Sequence, residues 1–236
     1  MFGNRRYTAA VLLAAGSGTR FSSSETKQMA QICDLPVLIR TAFAFEASEK
    51  IHEIVIVVKA DEYEVVKTLC EKYQLTKLHA IVVGGLTRQE SSLIGVEATS
   101  RRTKFVAIHD VARCLITPEM IENVLDAAYI YRCAAAASRC VDTMKIADEA
   151  GFIAKTVDRN IMWRVFTPQV FEKNLYIAAA YMAKQEGADV TDDCMLIERL
   201  NGKIKLVEVG SENIKLTHPS DRDFAEFILS KRGEKK

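Results

Sequence analysis

Short apolar runs alternate with amphipathic segments along most of this 236-residue chain. The segment from Ile54 to Val58 is apolar at every position, which is typical of a strand buried on both faces of a sheet. Helices must then cover both faces, so the pattern predicts a three-layer α/β fold with a mostly parallel sheet. Five runs rich in β-branched residues are the predicted strands: Thr8 to Leu13, Glu53 to Val58, Lys77 to Val83, Phe105 to Ile108 and Lys205 to Val209.

Two of the connecting segments show helical periodicity. Pro118 suits the first turn of a helix, and Gly187 suits the end of one. In open sheets of this kind, ligands bind beyond the carboxyl ends of the strands, so the loops there are expected to carry the site. The apolar residues at i, i+3 or i+4 spacing are Ile121, Val124, Leu125 and Ala128 in one segment, and Phe171, Leu175, Ala179 and Met182 in the other.

A hairpin interrupts this alternation between residues 141 and 157. Two short runs flank Asp148-Glu149-Ala150-Gly151, which is a turn composition. We therefore expect one domain over residues 1–236 with an inserted β-hairpin arm at about 139–160. An isolated two-stranded hairpin is marginal in water, so the arm should lie against a second subunit or fold as a flap on its own domain.

Composition and charge narrow the class of function. Lys and Arg number 32 against 31 Asp and Glu, which gives a net charge of +1, and no long block of like charges occurs. Binding to nucleic acid or to a membrane surface through bulk charge is therefore not expected. The six cysteines include no Cys-x-x-Cys pair, which argues against a zinc or dithiol site and favours thiols in a reducing compartment. With apolar stretches far shorter than a membrane span and no signal-peptide pattern, we expect a cytoplasmic protein.

A glycine-rich loop from Leu13 to Arg20 directly follows the first predicted strand. Its small residues would let backbone amides approach an anion closely, which makes Ala14, Ala15, Gly16 and Gly18 candidates for binding a nucleotide. The loop lacks the Gly-Lys-Ser/Thr of a Walker motif, and Phe21 stands where a dinucleotide fingerprint needs a third glycine. Arg20 and Lys27 beside such a loop suit a reaction that builds negative charge on phosphorus, although two solvated surface charges would look the same.

Further candidates follow the other predicted strands. Asp110 comes directly after the strand that ends at Ile108, where a carboxylate would suit Mg²⁺ or a hydroxyl group. Gly84 ends another strand, and Ser91 is positioned to cap the helix after it. His109 fits a structural role better than that of a base, because a phosphate nucleophile is already ionised at neutral pH.

Seven motifs, taken in order, resemble one enzyme family. They are Ala14-Ala15-Gly16-Ser17-Gly18-Thr19-Arg20 with Lys27-Gln28; Gly84-Gly85-Leu86-Thr87-Arg88-Gln89-Glu90-Ser91; His109-Asp110-Val111-Ala112-Arg113; Asp142-Thr143-Met144-Lys145; Asp158-Arg159 with Trp163 and Thr167-Pro168-Gln169; Thr191-Asp192-Asp193; and Asn213-Ile214-Lys215-Leu216-Thr217. Over about residues 7 to 230 the chain resembles the 2-C-methyl-D-erythritol 4-phosphate cytidylyltransferases of non-mevalonate isoprenoid synthesis.

The resemblance implies a Rossmann-like nucleotidyltransferase fold, CTP and a polyol phosphate as substrates, Mg²⁺ as cofactor, and a homodimer joined through the arm. It implies that Arg20 and Lys27 stabilise the charge on phosphorus, and that Arg159 and Lys215 position the acceptor. Gly84 and Ser91 would help to read cytosine. The remaining residues that it places around the acceptor are Asp110, Arg113, Thr143, Thr167 and Thr191.

Two positions depart from the family pattern, because Thr26 and Cys114 stand where relatives usually carry proline. The loss of a fixed φ angle bears on the order of these loops and not on the chemistry. Two other functions stay open on the sequence: cytidylylation of ribitol 5-phosphate by the same fold, and nucleotide binding without turnover.

Overall fold

The computed structural model describes residues 6–16 and 26–233. The strands are β1 (Thr8–Leu13), β2 (Gln31–Ile32), β3 (Leu35–Pro36), β4 (Glu53–Val58), β5 (Leu78–Val83), β6 (Phe105–Asp110), β7 (Cys133–Arg139), β8 (Lys145–Ala147), β9 (Ile153–Thr156), β10 (Trp163–Glu172) and β11 (Lys205–Glu208). The helices are α1 (Val37–Ala47), α2 (Tyr63–Lys72), α3 (Arg88–Glu97), α4 (Pro118–Tyr131), α5 (Lys173–Gln185), α6 (Cys194–Glu198) and α7 (Ser220–Lys231), with 3₁₀ turns at Ala60–Glu62 and Arg159–Ile161.

A seven-stranded sheet forms the middle layer, in the order β11-β7-β10-β6-β1-β4-β5. Strand β10 runs antiparallel to its neighbours β6 and β7, and the other pairs are parallel. Helices α1, α2, α4 and α7 pack on one face, while α3, α5 and α6 pack on the other. The predicted three-layer, mostly parallel α/β fold is confirmed, and all six residues of β4 are buried.

The predicted strands agree closely with β1, β4, β5, β6 and β11. Strand β6 is two residues longer than expected, so His109 and Asp110 end the strand and do not follow it. Helix α4 confirms the first helical periodicity, with Pro118 in its first turn and Thr117 accepting a hydrogen bond from the Met120 amide. Gly187 lies just beyond the end of α5 with a positive φ of 62°, as predicted.

Two of the sequence predictions were wrong. Phe171 lies in strand β10 and not in a helix; α5 begins only at Lys173. Ser91 does not cap α3 but is buried within it, and the cap is Thr87, which accepts a hydrogen bond from the Glu90 amide. The first error arises because β10 pairs with β6 and β7, and this pairing overrides the local periodicity. The second arises because α3 begins at Arg88, about one turn before its apolar face begins.

Strand β7 carries no β-branched residue, so local composition does not mark it as a strand. Its residues Ala134 to Ala137 are all buried between β10 and β11. Alanine favours a helix when it is exposed. Here small side chains suit a central strand because helices pack closely on both faces of the sheet.

The arm is a separate two-stranded sheet formed by β8 and β9. Every residue from 141 to 156 is exposed, so the arm does not fold back as a flap on its own domain. Phe152 and Ile153 are 72% and 67% exposed, which leaves apolar surface beside the turn.

No disulfide links the six cysteines, all of which lie in the described part of the chain. Within residues 6–16 and 26–233, no helix is long and apolar enough to cross a membrane.

Gly95 brings α3 into direct contact with the sheet. A Cβ atom at this position would overlap Val11 Cγ1 and lie 2.6 Å from Val57 Cγ2. Alanine normally stabilises a helix by about 1 kcal/mol relative to glycine. We predict the opposite for Gly95→Ala, a loss of roughly 1–3 kcal/mol in the free energy of unfolding, because the sheet residues cannot move aside. Urea denaturation measures it, and a stabilised variant would contradict this packing.

Candidate active site

A pocket of about 330 Å³ opens at the carboxyl edge of the sheet, where a ligand is expected in this architecture. The loop after β1 forms one wall, and it includes Ala14, Ala15 and Gly16. Three backbone hydrogen bonds fasten this edge: Ala14 N–H to Val57 O at 2.7 Å, Gly84 N–H to Val58 O at 2.8 Å, and Val111 N–H to Leu13 O at 3.1 Å. The start of the loop, at Ala14, is therefore bonded to β4, and the neighbouring strands are joined at the same edge.

Positive charge dominates the polar lining of the pocket. Lys27 lies beside the loop, Lys59 follows β4, Arg88 begins α3, and Lys215 comes from the segment between β11 and α7. Among the described lining residues the one acidic side chain is Asp110. Four cations facing one carboxylate suit a ligand that carries several negative charges, such as a triphosphate.

Asp110 is held between two of these cations. Lys215 Nζ donates to its Oδ2 at 2.6 Å, and Arg88 donates from Nε and Nη2 to its Oδ1 at 3.4 and 3.3 Å. Burial would raise the pKa of Asp110, but the charges of Arg88 and Lys215 outweigh burial and hold the pKa well below its usual range. The carboxylate is consequently ionised at neutral pH.

The backbone brings Lys215 to this point from a distance of 105 residues in the chain. Leu216 N–H donates to Ala112 O at 2.8 Å, and Arg113 Nη1 donates to Asn213 O at 2.9 Å. These two bonds join the loop after β6 to the segment that carries Lys215. Arg113, a candidate acceptor-binding residue, is thus used to hold that segment.

Thr167 and His109 support Asp110 from beneath. The Asp110 amide donates to Thr167 Oγ1 at 3.1 Å, and Thr167 Oγ1 lies 3.1 Å from His109 Nδ1. His109 Nε2 lies 3.3 Å from Arg113 O, and because a carbonyl can only accept, this nitrogen carries the proton. Nδ1 therefore accepts from the Thr167 hydroxyl. His109 is structural, as expected from the sequence.

Ser91 and Gly84 lie against each other beside the loop. Ser91 is buried on α3 and lines the pocket. A Cβ atom on Gly84 would lie 2.6 Å from Ser91 Oγ and 3.1 Å from Ala15 Cβ. A larger residue at position 84 would push Ser91 or the loop out of place, so glycine is needed here for close approach.

The structure unites part of the predicted site. The candidates that line the pocket are Ala14, Ala15, Gly16, Lys27, Ser91, Asp110 and Lys215, with Gly84 directly behind it. Thr167 is buried below Asp110, and Thr191 is exposed with its hydroxyl 3.2 Å from Met195 Sδ. Thr143 and Arg159 belong to the exposed arm and its base. Gly18 and Arg20 lie outside the described residues.

Sequence reasoning missed Lys59 and did not include Arg88 among the candidate site residues. Lys59 could have been found, because it follows a predicted strand at the same edge as Asp110. The contact of Arg88 with Asp110 joins residues 22 positions apart on different elements, so no local pattern could reveal it.

A magnesium ion would find one ionised carboxylate in this pocket, that of Asp110. Among the described residues, no three His, Cys, Asp or Glu side chains are grouped so that they could hold a metal. Mg²⁺ in phosphoryl-transfer sites commonly takes one or two carboxylates and fills its remaining positions with phosphate oxygens and water. Asp110 fits that pattern as a single protein ligand, because a carboxylate has lone pairs beyond those that Arg88 and Lys215 occupy.

A family model for 2-C-methyl-D-erythritol 4-phosphate cytidylyltransferase matches residues 8–231. The chain belongs to this family. A relative of that name from Caldanaerobacter subterraneus subsp. tengcongensis is 42% identical over 224 residues, covering 94% of this chain and 99% of the relative. Another, from Geobacillus thermodenitrificans, is 39% identical over 223 residues, covering 94% of this chain and 97% of the relative.

Solved structures of this cytidylyltransferase family share the fold. The 4-diphosphocytidyl-2C-methyl-D-erythritol synthase of Anaerococcus prevotii superposes with a TM-score of 0.86 at 27% identity, covering 96% of this chain and 97% of that one. The 2-C-methyl-D-erythritol 4-phosphate cytidylyltransferase of Thermus thermophilus gives a TM-score of 0.75 at 26% identity, covering 93% and 98%. The resemblance drawn from the seven motifs is confirmed.

The position of His109 leads to a prediction about pH. Burial lowers the pKa of His109 to about 3, whereas an unfolded histidine has a pKa of about 6.5. Below about pH 6.5, His109 therefore binds a proton in the unfolded chain but not in the folded protein. The free energy of unfolding consequently falls as the pH drops below about 6.5. We predict that this one group contributes about 1.4 kcal/mol of lost stability per pH unit in that range.

Urea denaturation of the wild type and of His109→Gln between neutral pH and the onset of acid unfolding measures this contribution. The variant should be less stable at pH 7 but should show a shallower decline on acidification. Equal slopes for the two proteins would show that His109 takes up its proton in the folded state.

Proposed function

We propose that this protein transfers the CMP unit of CTP to the phosphate of 2-C-methyl-D-erythritol 4-phosphate and releases pyrophosphate. The observation that carries the proposal is the pocket in which Lys27, Lys59, Arg88 and Lys215 surround a glycine-rich loop and one ionised carboxylate. Membership of the cytidylyltransferase family and the names of the relatives supply the substrates.

The reaction makes one bond and breaks one. A phosphate oxygen of the acceptor attacks the α-phosphorus of CTP in line, a new P–O bond forms, and the bond to the β-phosphate breaks with its electrons going to pyrophosphate. The attacking phosphate is already an anion, so the step requires no general base. What the protein must supply is alignment and positive charge.

Lys27 lies where it can meet the charge that grows during this step. It lines the pocket, and the residue next to it is anchored: Gln28 is buried and donates to both oxygens of Glu62 at 3.0 and 2.8 Å. A cation held in place costs little reorganisation as the five-coordinate phosphorus forms. We propose the same role for Arg20. Mg²⁺, when bound, would supply further positive charge to the triphosphate.

Lys215 and Asp110 are proposed to contact the acceptor. The Lys215 side chain is 40% exposed while still bonded to Asp110, so its ammonium group can take a phosphate oxygen as a further partner. Ser91, which packs closely against Gly84, is proposed to read the edge of cytosine and so to select against a purine.

The decisive experiment is to incubate the protein with CTP and Mg²⁺ and to follow pyrophosphate, with methylerythritol 4-phosphate and ribitol 5-phosphate supplied separately. We predict turnover with the first acceptor, and a decrease of roughly 10²–10³ in kcat for Lys27→Ala with little change in CTP binding. Turnover with ribitol 5-phosphate alone would support the other cytidylyltransferase, and CTP binding without pyrophosphate release would support a non-catalytic protein. Lys67→Ala, on the exposed face of α2, is the control variant.

We further propose that the protein is a homodimer and that the arm reaches the partner's acceptor pocket. The arm carries exposed apolar side chains that a partner could cover, namely Val141, Met144, Ile146, Phe152, Ile153 and Ile161. Arg159 donates to Val141 O at 3.3 Å at its base and is exposed. Arg159 and Thr143 do not line the pocket of their own chain, which supports a role across the interface.

Mixing two inactive variants tests this arrangement. If Arg159 serves the neighbouring site, a dimer of one Lys27→Ala chain and one Arg159→Ala chain has one site with both defects and one with neither. We predict that part of the activity returns once subunits exchange. Absence of recovery, with exchange confirmed by mass spectrometry of tagged chains, would place Arg159 in the site of its own chain.

A further inference from the structure

A continuous series of hydrogen bonds leads from the protein core to the pocket. Tyr176 Oη donates to Asp193 Oδ1 at 2.9 Å, and Arg88 Nη1 donates to Asp193 Oδ2 at 2.6 Å. Arg88 then reaches Asp110, which also receives Lys215. Tyr176 is fully buried and the Asp193 side chain is 1% exposed, whereas Arg88 lines the pocket.

We propose that Asp193 and Tyr176 are positioning residues for the transfer reaction: they fix the guanidinium of Arg88 and, through it, the carboxylate of Asp110. This inference rests on the function proposed above. Neither residue lines the pocket, so both would act on the reaction only through Arg88.

The distances show which partner determines where Arg88 lies. Its bond to Asp193 is 2.6 Å, while its contacts with Asp110 are 3.3 and 3.4 Å. A charge-assisted bond is strongest at the shorter distance. Arg88 is therefore anchored on the buried side and presents its remaining donors to the pocket.

Asp193 is itself fixed from two directions. Its backbone amide donates to Gln169 Oε1 at 3.1 Å, and Gln169 Nε2 donates to Asp192 Oδ2 at 2.9 Å, which fastens this segment to β10. Tyr176 comes from α5, and its ring packs against Phe171 with centroids 5.4 Å apart. Strand β10 and two helices thus converge on one carboxylate.

A contribution to folding stability does not by itself explain why Tyr176 and Asp193 are bonded to Arg88. A carboxylate and a phenol within an apolar cluster lose hydration, and hydrophobic residues of the same size would often serve folding as well or better. What a fully bonded buried network provides is a fixed geometry. That geometry matters here because a displacement of about 1 Å near the reacting groups can cost on the order of 10²-fold in rate.

The first variant is Tyr176→Phe, which removes one hydroxyl and keeps the buried ring. Its matched control is Tyr181→Phe on the same helix, where the hydroxyl donates to Glu97 Oε1 at 2.6 Å on the exposed surface. We expect Tyr176→Phe to lower kcat/KM for the acceptor roughly tenfold, the effect of one bond to a charged group. The dissociation constant for CTP should change less than about twofold, and Tyr181→Phe should match the wild type.

The second experiment asks whether the effect passes through Arg88. If it does, Tyr176→Phe should cost little more once Arg88→Lys is present, so the double variant should match Arg88→Lys within about twofold. Multiplied losses would show that Tyr176 acts independently of Arg88 and would overturn the proposal. Wild-type kcat/KM in Tyr176→Phe, or a loss that follows the unfolded fraction seen by circular dichroism, would also overturn it.

Asp193→Asn provides a second route to the same answer. It keeps the shape of the side chain but removes the charge that holds Arg88, and we expect a loss of acceptor kcat/KM on the order of 10²-fold with the protein still folded. Failure of the proposed function would be seen differently, because the wild type itself would then release no pyrophosphate from CTP and methylerythritol phosphate.

Discussion

The ion pair network around Asp110 is the constraint on which the pocket depends. A carboxylate at the end of β6 that is almost fully enclosed must be neutralised by cations, since an unpaired buried charge would cost several kcal/mol. Arg88 from the first turn of α3 and Lys215 from near the C-terminus supply that charge. Meeting this requirement brings three distant parts of the chain to one edge of the sheet.

The same requirement explains the polar groups beneath the pocket. Strand β10 is irregular between Val165 and Gln169, and this irregularity contains Thr167. From there the Thr167 hydroxyl holds both the Asp110 amide and the neutral ring of His109. Bulges commonly redirect side chains next to active sites. In this protein the redirected groups fix the backbone of the carboxylate, while Arg88 and Lys215 fix its charge.

The arm has the opposite character, because almost nothing in its own chain fixes it. Its two strands bond to each other, and its apolar side chains face outward. The core and the arm therefore have different roles. The parallel sheet carries a charged pocket, whereas the arm leaves Arg159 and several apolar side chains exposed. The proposed dimer would cover this exposed surface and bring Arg159 to the partner's pocket.

The layers, the five strands with β-branched residues, helix α4 and the hairpin all follow from the sequence alone, because local periodicity or turn composition marks each of them. Family motifs also placed Lys27, Ser91, Asp110 and Lys215 in a shared site, and all four line one pocket. The alanine strand β7 and the assignment of Phe171 to β10 could not be predicted, since both depend on neighbours in the sheet. Only the folded structure shows that Thr87 caps α3 and that Asp110 pairs with Arg88 and Lys215. It also shows that Asp193 accepts hydrogen bonds from both Arg88 and Tyr176. The pairings around Arg88 and Asp110 join residues far apart in the chain, and their energies depend on burial and distance, neither of which is encoded in a local pattern of residue types.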